Sequence, residues 1–174
     1  MAPFQVRRAS PDDAGGITAV LDAVTRERVY SAIEQPWTAE EQRQYLRSLS
    51  PREAFHVAIT EAGDVVGYQS LDRYSTILPS MAHVGALGTF LLPAWRRHGV
   101  GQALFDATRR FAASAGYRKF VIQVRASNLP AQAFYKQLGF VECGRLRAQV
   151  IVDGREDDEV VLEFFLKDGP PGQL

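Results

Sequence analysis

A mixed β-sheet with helices on its faces, an α/β (α+β) architecture in one domain, is the fold class that this 174-residue sequence predicts. Three observations carry the expectation. Val100, Leu104, Ala107, Phe111 and Ala115 form one apolar stripe at helical spacing between β-rich runs at 84–92 and 120–124. Asp153-Gly154 joins two further β-rich runs, a strong hairpin signal. The length, with 46% hydrophobic residues, suits a continuous core, expected over residues 4–167 and followed by a flexible tail at 168–174.

The elements follow in order. Residues 4–8 alternate as a short strand, and Ser10-Pro11-Asp12-Asp13 supplies a cap, a proline at the helix start and two acids that complement the helix dipole. Ile17, Val20, Leu21 and Val24 continue that helix along one face. After an irregular stretch at 30–37, Thr38-Ala39-Glu40-Glu41 opens a second, polar helix that runs to residue 48. Runs at 55–60 and 65–71 flank Glu61-Ala62-Gly63-Asp64 as an antiparallel hairpin. Pro93 stops the strand at 84–92, Gly99 opens the striped helix and Gly116 ends it. The apolar run at 120–124 suits a buried strand, and Asn128 then caps a short helix with Pro130 in its first turn and Gly139 just past its end. Phe140 starts another strand, and runs at 150–152 and 160–166 close the chain around Asp153-Gly154. The order is β-α-α-β-β-β-α-β-α-β-β, and residues 84–124 should make a right-handed parallel crossover.

Composition narrows the partners. Lys plus Arg number 20 and Asp plus Glu number 20, so no global field gathers nucleic acid or an anionic membrane. One cysteine, Cys143, excludes an internal disulfide and a multi-cysteine zinc site, and fits a reducing compartment, with the cytoplasm expected. No run of about 18 apolar residues offers a membrane span. His56 and His98 are too scattered to suggest a metal site.

The most informative stretch is Arg96-Arg97-His98-Gly99-Val100-Gly101-Gln102, between a strand and a helix. Unpaired amides at a helix start attract anions, two glycines admit a phosphate to the backbone, and the basic side chains add charge. A P-loop would need Lys-Ser/Thr after the second glycine, and a dinucleotide fingerprint would need a third glycine and a later acid; neither is present. The stretch resembles the Arg/Gln-x-x-Gly-x-Gly/Ala element of the GNAT superfamily of N-acetyltransferases. A second element of that family, Asn-x-x-Ala-x-x-x-Tyr-x-x-x-Gly-Phe, is matched by Asn128, Ala131, Tyr135, Gly139 and Phe140. The closing part, from Gly144 to Asp158, resembles members that act on small amines or amino acids.

The resemblance implies a mostly antiparallel sheet and acetyl-CoA as cosubstrate, with no metal. It implies that backbone groups of Phe90, Leu91 and Leu92 pair with pantetheine and that an amide there steadies the oxyanion. The loop residues Arg96 to Gln102 would hold the diphosphate, with Asn128, Ala131 and Tyr135 completing the cofactor wall. Tyr135 would protonate the leaving thiolate. An amine with a reference pKa of about 10.4 must lose a proton before attack. The strand at 84–92 carries no carboxylate, so His83 becomes the local candidate base. The acceptor, a small-molecule or peptide amine, is expected among Tyr30, Glu34, Trp37 and Arg73. Glu156-Asp157-Asp158-Glu159 would attract a polyamine or simply face solvent. A homodimer is implied by resemblance. The missing strand carboxylate leaves open a second reading, a CoA-binding regulatory module without turnover.

Overall fold

The computed structural model describes residues 3–166. The expected tail at 168–174 lies outside the described residues. The elements are β1 (Phe4–Arg8), α1 (Ala14–Thr25), α2 (Ala39–Ser48), β2 (Ala54–Thr60), β3 (Val65–Arg73) and β4 (Val84–Leu91). They continue with α3 (Val100–Ser114), β5 (Lys119–Arg125), α4 (Leu129–Gln137), β6 (Val141–Val152) and β7 (Arg155–Phe165). This is the order the sequence predicts. The strands form one sheet, β1-β2-β3-β4-β5-β7-β6, in which β4 and β5 alone are parallel.

Local chemistry explains the helix starts. A short 3₁₀ turn over Pro11–Asp13 precedes α1, so the α-helix begins later than the proline alone suggests. Asp13 accepts 2.7 Å bonds from the Ser10 amide and from both Arg7 terminal nitrogens, which ties this turn to β1. In α2 the Thr38 hydroxyl accepts from the Glu41 amide at 3.2 Å while the Glu41 carboxylate accepts from the Thr38 amide at 2.8 Å, a reciprocal cap.

The expected strand from Phe140 and the run at 150–152 are one element rather than two. β6 is twelve residues long and changes register between Glu142 and Gly144 and again between Leu146 and Val150. Asp158 holds the second irregularity by accepting from the Ala148 amide at 2.8 Å and Arg145 Nε at 2.7 Å. Bulges of this kind interrupt apolar alternation, which hides a long strand in sequence. Phe140 itself is buried in the core ahead of the strand.

Alternation along β2 to β4 divides the core. Phe55, Val57, Tyr68 and Phe90 face α1 and α2, whereas Ala54, Leu71, Phe120 and Leu162 face α3 and α4. On the second face Phe105 meets Phe120, Phe140 and Phe164 at ring distances of 6.2, 5.7 and 5.4 Å. Phe105→Ala is expected to lower the unfolding free energy by about 3–5 kcal/mol, read from the denaturant midpoint. A shift below about 1 kcal/mol would show that this aromatic cluster does not anchor α3.

The feature that positions a site is the seam between β4 and β5. Pairing is limited to Val84 with Lys119, Gly85 with Phe120 and Ala86 with Val121. Beyond Ala86 the two strands part, while β4 stays paired to β3 as far as Leu91 and β5 to β7 as far as Arg125. A cleft therefore opens inside the sheet.

Candidate active site

The cleft has two adjoining chambers that share Leu87, Gln123 and Glu159. The first, about 190 Å³, is walled by Thr89, Phe90, Asn128, Ala131, Tyr135 and the loop from Tyr30 to Ile33. The second, about 230 Å³, is walled by Tyr74, Ala86 and Val121 as well.

Strand alternation decides which backbone groups face the opening. The Leu92 amide donates to Val66 O at 3.0 Å, and Tyr74 donates to Val84 O at 3.2 Å. Even-numbered residues of β4 therefore turn their backbone groups to β3. Leu87, Thr89 and Leu91 turn theirs to the opened seam, consistent with His83 O accepting from the Arg118 amide at 2.9 Å on the β5 side. Among Phe90, Leu91 and Leu92, it is Leu91 that offers backbone to the cleft. Phe90 contributes its ring to the wall and its backbone to β3.

Tyr135 is buried on α4, and its hydroxyl donates to Thr89 Oγ1 at 2.8 Å. Gln69 Nε2, fully buried on β3, donates to the same oxygen at 2.8 Å. Burial pushes the Tyr135 phenol up to about 12, against a smaller opposing effect of the Thr89 bond. The phenol thus keeps its proton throughout the neutral range. Its ring is fixed against Phe134 and Phe140 at 5.1 and 5.2 Å. Asn128 accepts from the Ala131 amide at 3.1 Å and donates to Tyr30 O at 3.2 Å. One buried side chain therefore caps α4 and pins the loop that roofs the first chamber.

At the far end of β4 the chain reaches α3. Gly99 sits at φ 79° as its N-cap, Arg97 at φ 60°, and no side chain caps the first turn. A Cβ on Gly99 would meet nothing within 4 Å, so the space before the helix is open and the restriction is conformational. At Gly101 a Cβ would come within 2.9 Å of the Phe134 ring, so this glycine serves close packing of α3 on α4. Val100 is buried, while Arg97, His98 and Gln102 are exposed, the last bonded to Asp106 at 3.2 Å.

Arg96 has other commitments. It pairs with both Glu27 carboxylate oxygens, donates to Leu91 O at 3.2 and 3.3 Å, and lies 4.5 Å over the Tyr30 ring. It ties the segment after α1 to the end of β4.

The remaining sequence candidates disperse. His83 is exposed before β4, about 20 Å along the chain from Thr89 at strand rise, and does not line either chamber. Arg73 pairs across to Gly85 on the α3 face, 3.6 Å from Glu53. Glu34 is exposed near Arg28, and Trp37 packs edge-on to Tyr45 at 5.3 Å. Only Tyr30 of the four acceptor candidates lines the cleft. The structure adds Thr89, Gln123 and Glu159, for which the sequence held one signal: on β7, Glu159 alternates with buried Val160 and Leu162 and so faces the other side. Among the described residues, no three His, Cys, Asp or Glu side chains gather as a metal site, and no helix is long and apolar enough to cross a membrane.

An opened strand edge leading to a glycine-started helix suits an extended ligand with an anionic end. The chain belongs to the acetyltransferase (GNAT) family, whose model matches residues 19–140. A Bacillus subtilis protein described as a candidate phosphinothricin acetyltransferase, YwnH, is 23% identical over 157 residues, covering 90% of this chain and 96% of its own. The structure of a phosphinothricin acetyltransferase from Sinorhizobium meliloti in complex with AcCoA superposes with TM-score 0.87 at 22% identity, over 95% of this chain and 90% of that one. A ribosomal-protein-alanine N-acetyltransferase from Brucella melitensis superposes with TM-score 0.85, also at 22% identity, over 92% and 99%. One fold thus serves differently named acceptors, and the acceptor must be argued from the cleft.

Proposed function

We propose that the protein transfers an acetyl group from acetyl-CoA to a primary amine by direct attack on the thioester, with Tyr135 donating the proton to the departing sulfur. The observation that carries this reading is the Tyr135 hydroxyl held at Thr89 on the opened seam between β4 and β5. Acetyl-CoA would supply the activated acyl carbon and the thiolate leaving group. The amides opening α3, with Arg97 and His98 beside them, suit its diphosphate, because the space in front of Gly99 is clear. The seam-facing backbone of Thr89 and the amide of Leu91, whose carbonyl accepts from Arg96, suit the amide-rich pantetheine arm as an added strand. Asn128 and Ala131 form the opposite wall.

Tyr135 fits the donor role through both place and protonation. A phenol that ionises only near 12 is uncharged at neutral pH and so holds a hydrogen to offer to the departing sulfur as negative charge builds there. A raised pKa keeps the donor form present at every pH below it.

The test is to mix protein, acetyl-CoA and primary amines and follow free thiol across pH. Amine-dependent thiol release is expected, with no decline in kcat up to pH about 9.5. No amine-dependent release, or a fall in kcat centred near 10, the ordinary tyrosine value, would count against the assignment.

A further inference from the structure

We infer that the acceptor occupies the second chamber, that Glu159 is the carboxylate receiving its ammonium proton, and that the acceptor is a small apolar amine with no acidic group beside its amino group. This deepens the acetyl-transfer reading above and rests on it.

The second chamber adjoins the first at Leu87, Gln123 and Glu159, so an amine held there lies next to the seam where Thr89 and Tyr135 meet. Its walls are Tyr74, Ala86, Leu87 and Val121, and its volume of about 230 Å³ falls below the roughly 300–1,000 Å³ of sites for drug-sized ligands. Glu159 is the one charged side chain among the described residues that line it. That carboxylate makes no ion pair with another described side chain. Burial, and then Asp157 two residues along β7, raise its pKa. Arg125 faces it across the β5–β7 pairing, and Leu146 faces it from β6. A carboxylate with a raised pKa binds a proton more readily.

The cations near the cleft are already used. Arg125, the only one lining either chamber among the described residues, donates to Asp157 at 2.9 Å and to the carbonyls of Arg28 and Ser31 at 2.8 and 3.3 Å. Arg96 is held by Glu27, Lys119 by Glu163 at 2.5 Å, and Arg73 lies on the other sheet face. A carboxylate on the acceptor would therefore meet Glu159 without a free guanidinium to offset it. The Tyr74 ring offers the ammonium a further, cation–π surface.

The protons balance as follows. Glu159 accepts one ammonium proton, and the freed nitrogen pair bonds to the acyl carbon as the carbon–sulfur bond breaks. Tyr135 gives its proton to sulfur and recovers one from the newly bonded nitrogen, and Glu159 releases its own to solvent, for a net release of one.

Phenethylamine and L-phenylalanine differ only in the α-carboxylate and serve as probes, with an alanine-initiated peptide as a third acceptor. In thiol-release assays the wild type is expected to favour phenethylamine over phenylalanine by roughly 100-fold in kcat/KM. Glu159→Gln is expected to lose about 100-fold in kcat/KM for phenethylamine, with calorimetric affinity for acetyl-CoA and thermal midpoint retained, and Glu159→Asp to recover part of the loss. Equal or better use of phenylalanine or of the peptide, or wild-type turnover by Glu159→Gln, overturns this inference and leaves acetyl transfer standing. So does a Glu159→Gln defect accompanied by lost acetyl-CoA affinity, which marks a structural role. No thiol release from the wild type with any amine removes the acetyl-transfer reading itself, and this inference with it.

Discussion

Tyr135→Phe is expected to lower kcat by about 100-fold or more while leaving acetyl-CoA affinity near the wild-type value. The substitution keeps the ring contacts with Phe134 and Phe140, so α4 retains its packing on the core. What is lost is the hydroxyl at 2.8 Å from Thr89 Oγ1, the proton donor of the proposed reaction. Thr89 still accepts from Gln69 Nε2, so the change leaves no buried acceptor unpaired and the stability cost stays small. Turnover and affinity should therefore separate: kcat falls, the calorimetric constant holds. Unchanged turnover with every active amine would remove Tyr135 from the chemistry and leave it a core aromatic.

Local patterns made most of the frame legible. The stripe from Val100 to Ala115 predicts α3, Thr38 with Glu41 predicts the start of α2, and Asp153-Gly154 places the last turn, because each depends on neighbours within one element. Tyr135 and the glycine loop were likewise marked by short motifs. What escaped depends on contacts distant in sequence. Arg96 reads as a phosphate ligand in its loop, yet Glu27, 69 residues earlier, takes its guanidinium. β7 inserts between β5 and β6, and only that order brings Glu159 opposite Arg125 and into the cleft. Adjacency on a hairpin says that β6 and β7 pair; it does not say which of them docks on β5. His83 failed to reach the cleft for a related reason, since the position at which β4 leaves β5 cannot be read from β4 itself.

Gly99→Val is expected to weaken acetyl-CoA binding by about 10- to 100-fold and to lower the unfolding free energy by about 1–2 kcal/mol. Two separate physical effects produce these changes. At φ 79° a β-branched residue is strained, which lowers stability whether or not a ligand is present. The valine side chain would also project into the clear space ahead of the first amides of α3, where the proposal seats the diphosphate. Gly101→Ala separates the two effects, because its added methyl meets the Phe134 ring at 2.9 Å and disturbs the α3–α4 contact. If both variants lose stability but only Gly99→Val loses affinity in calorimetry, the diphosphate lies at the helix start. If Gly99→Val is destabilised yet binds acetyl-CoA like the wild type, the anion is held elsewhere, and the open turn is a feature of the backbone alone.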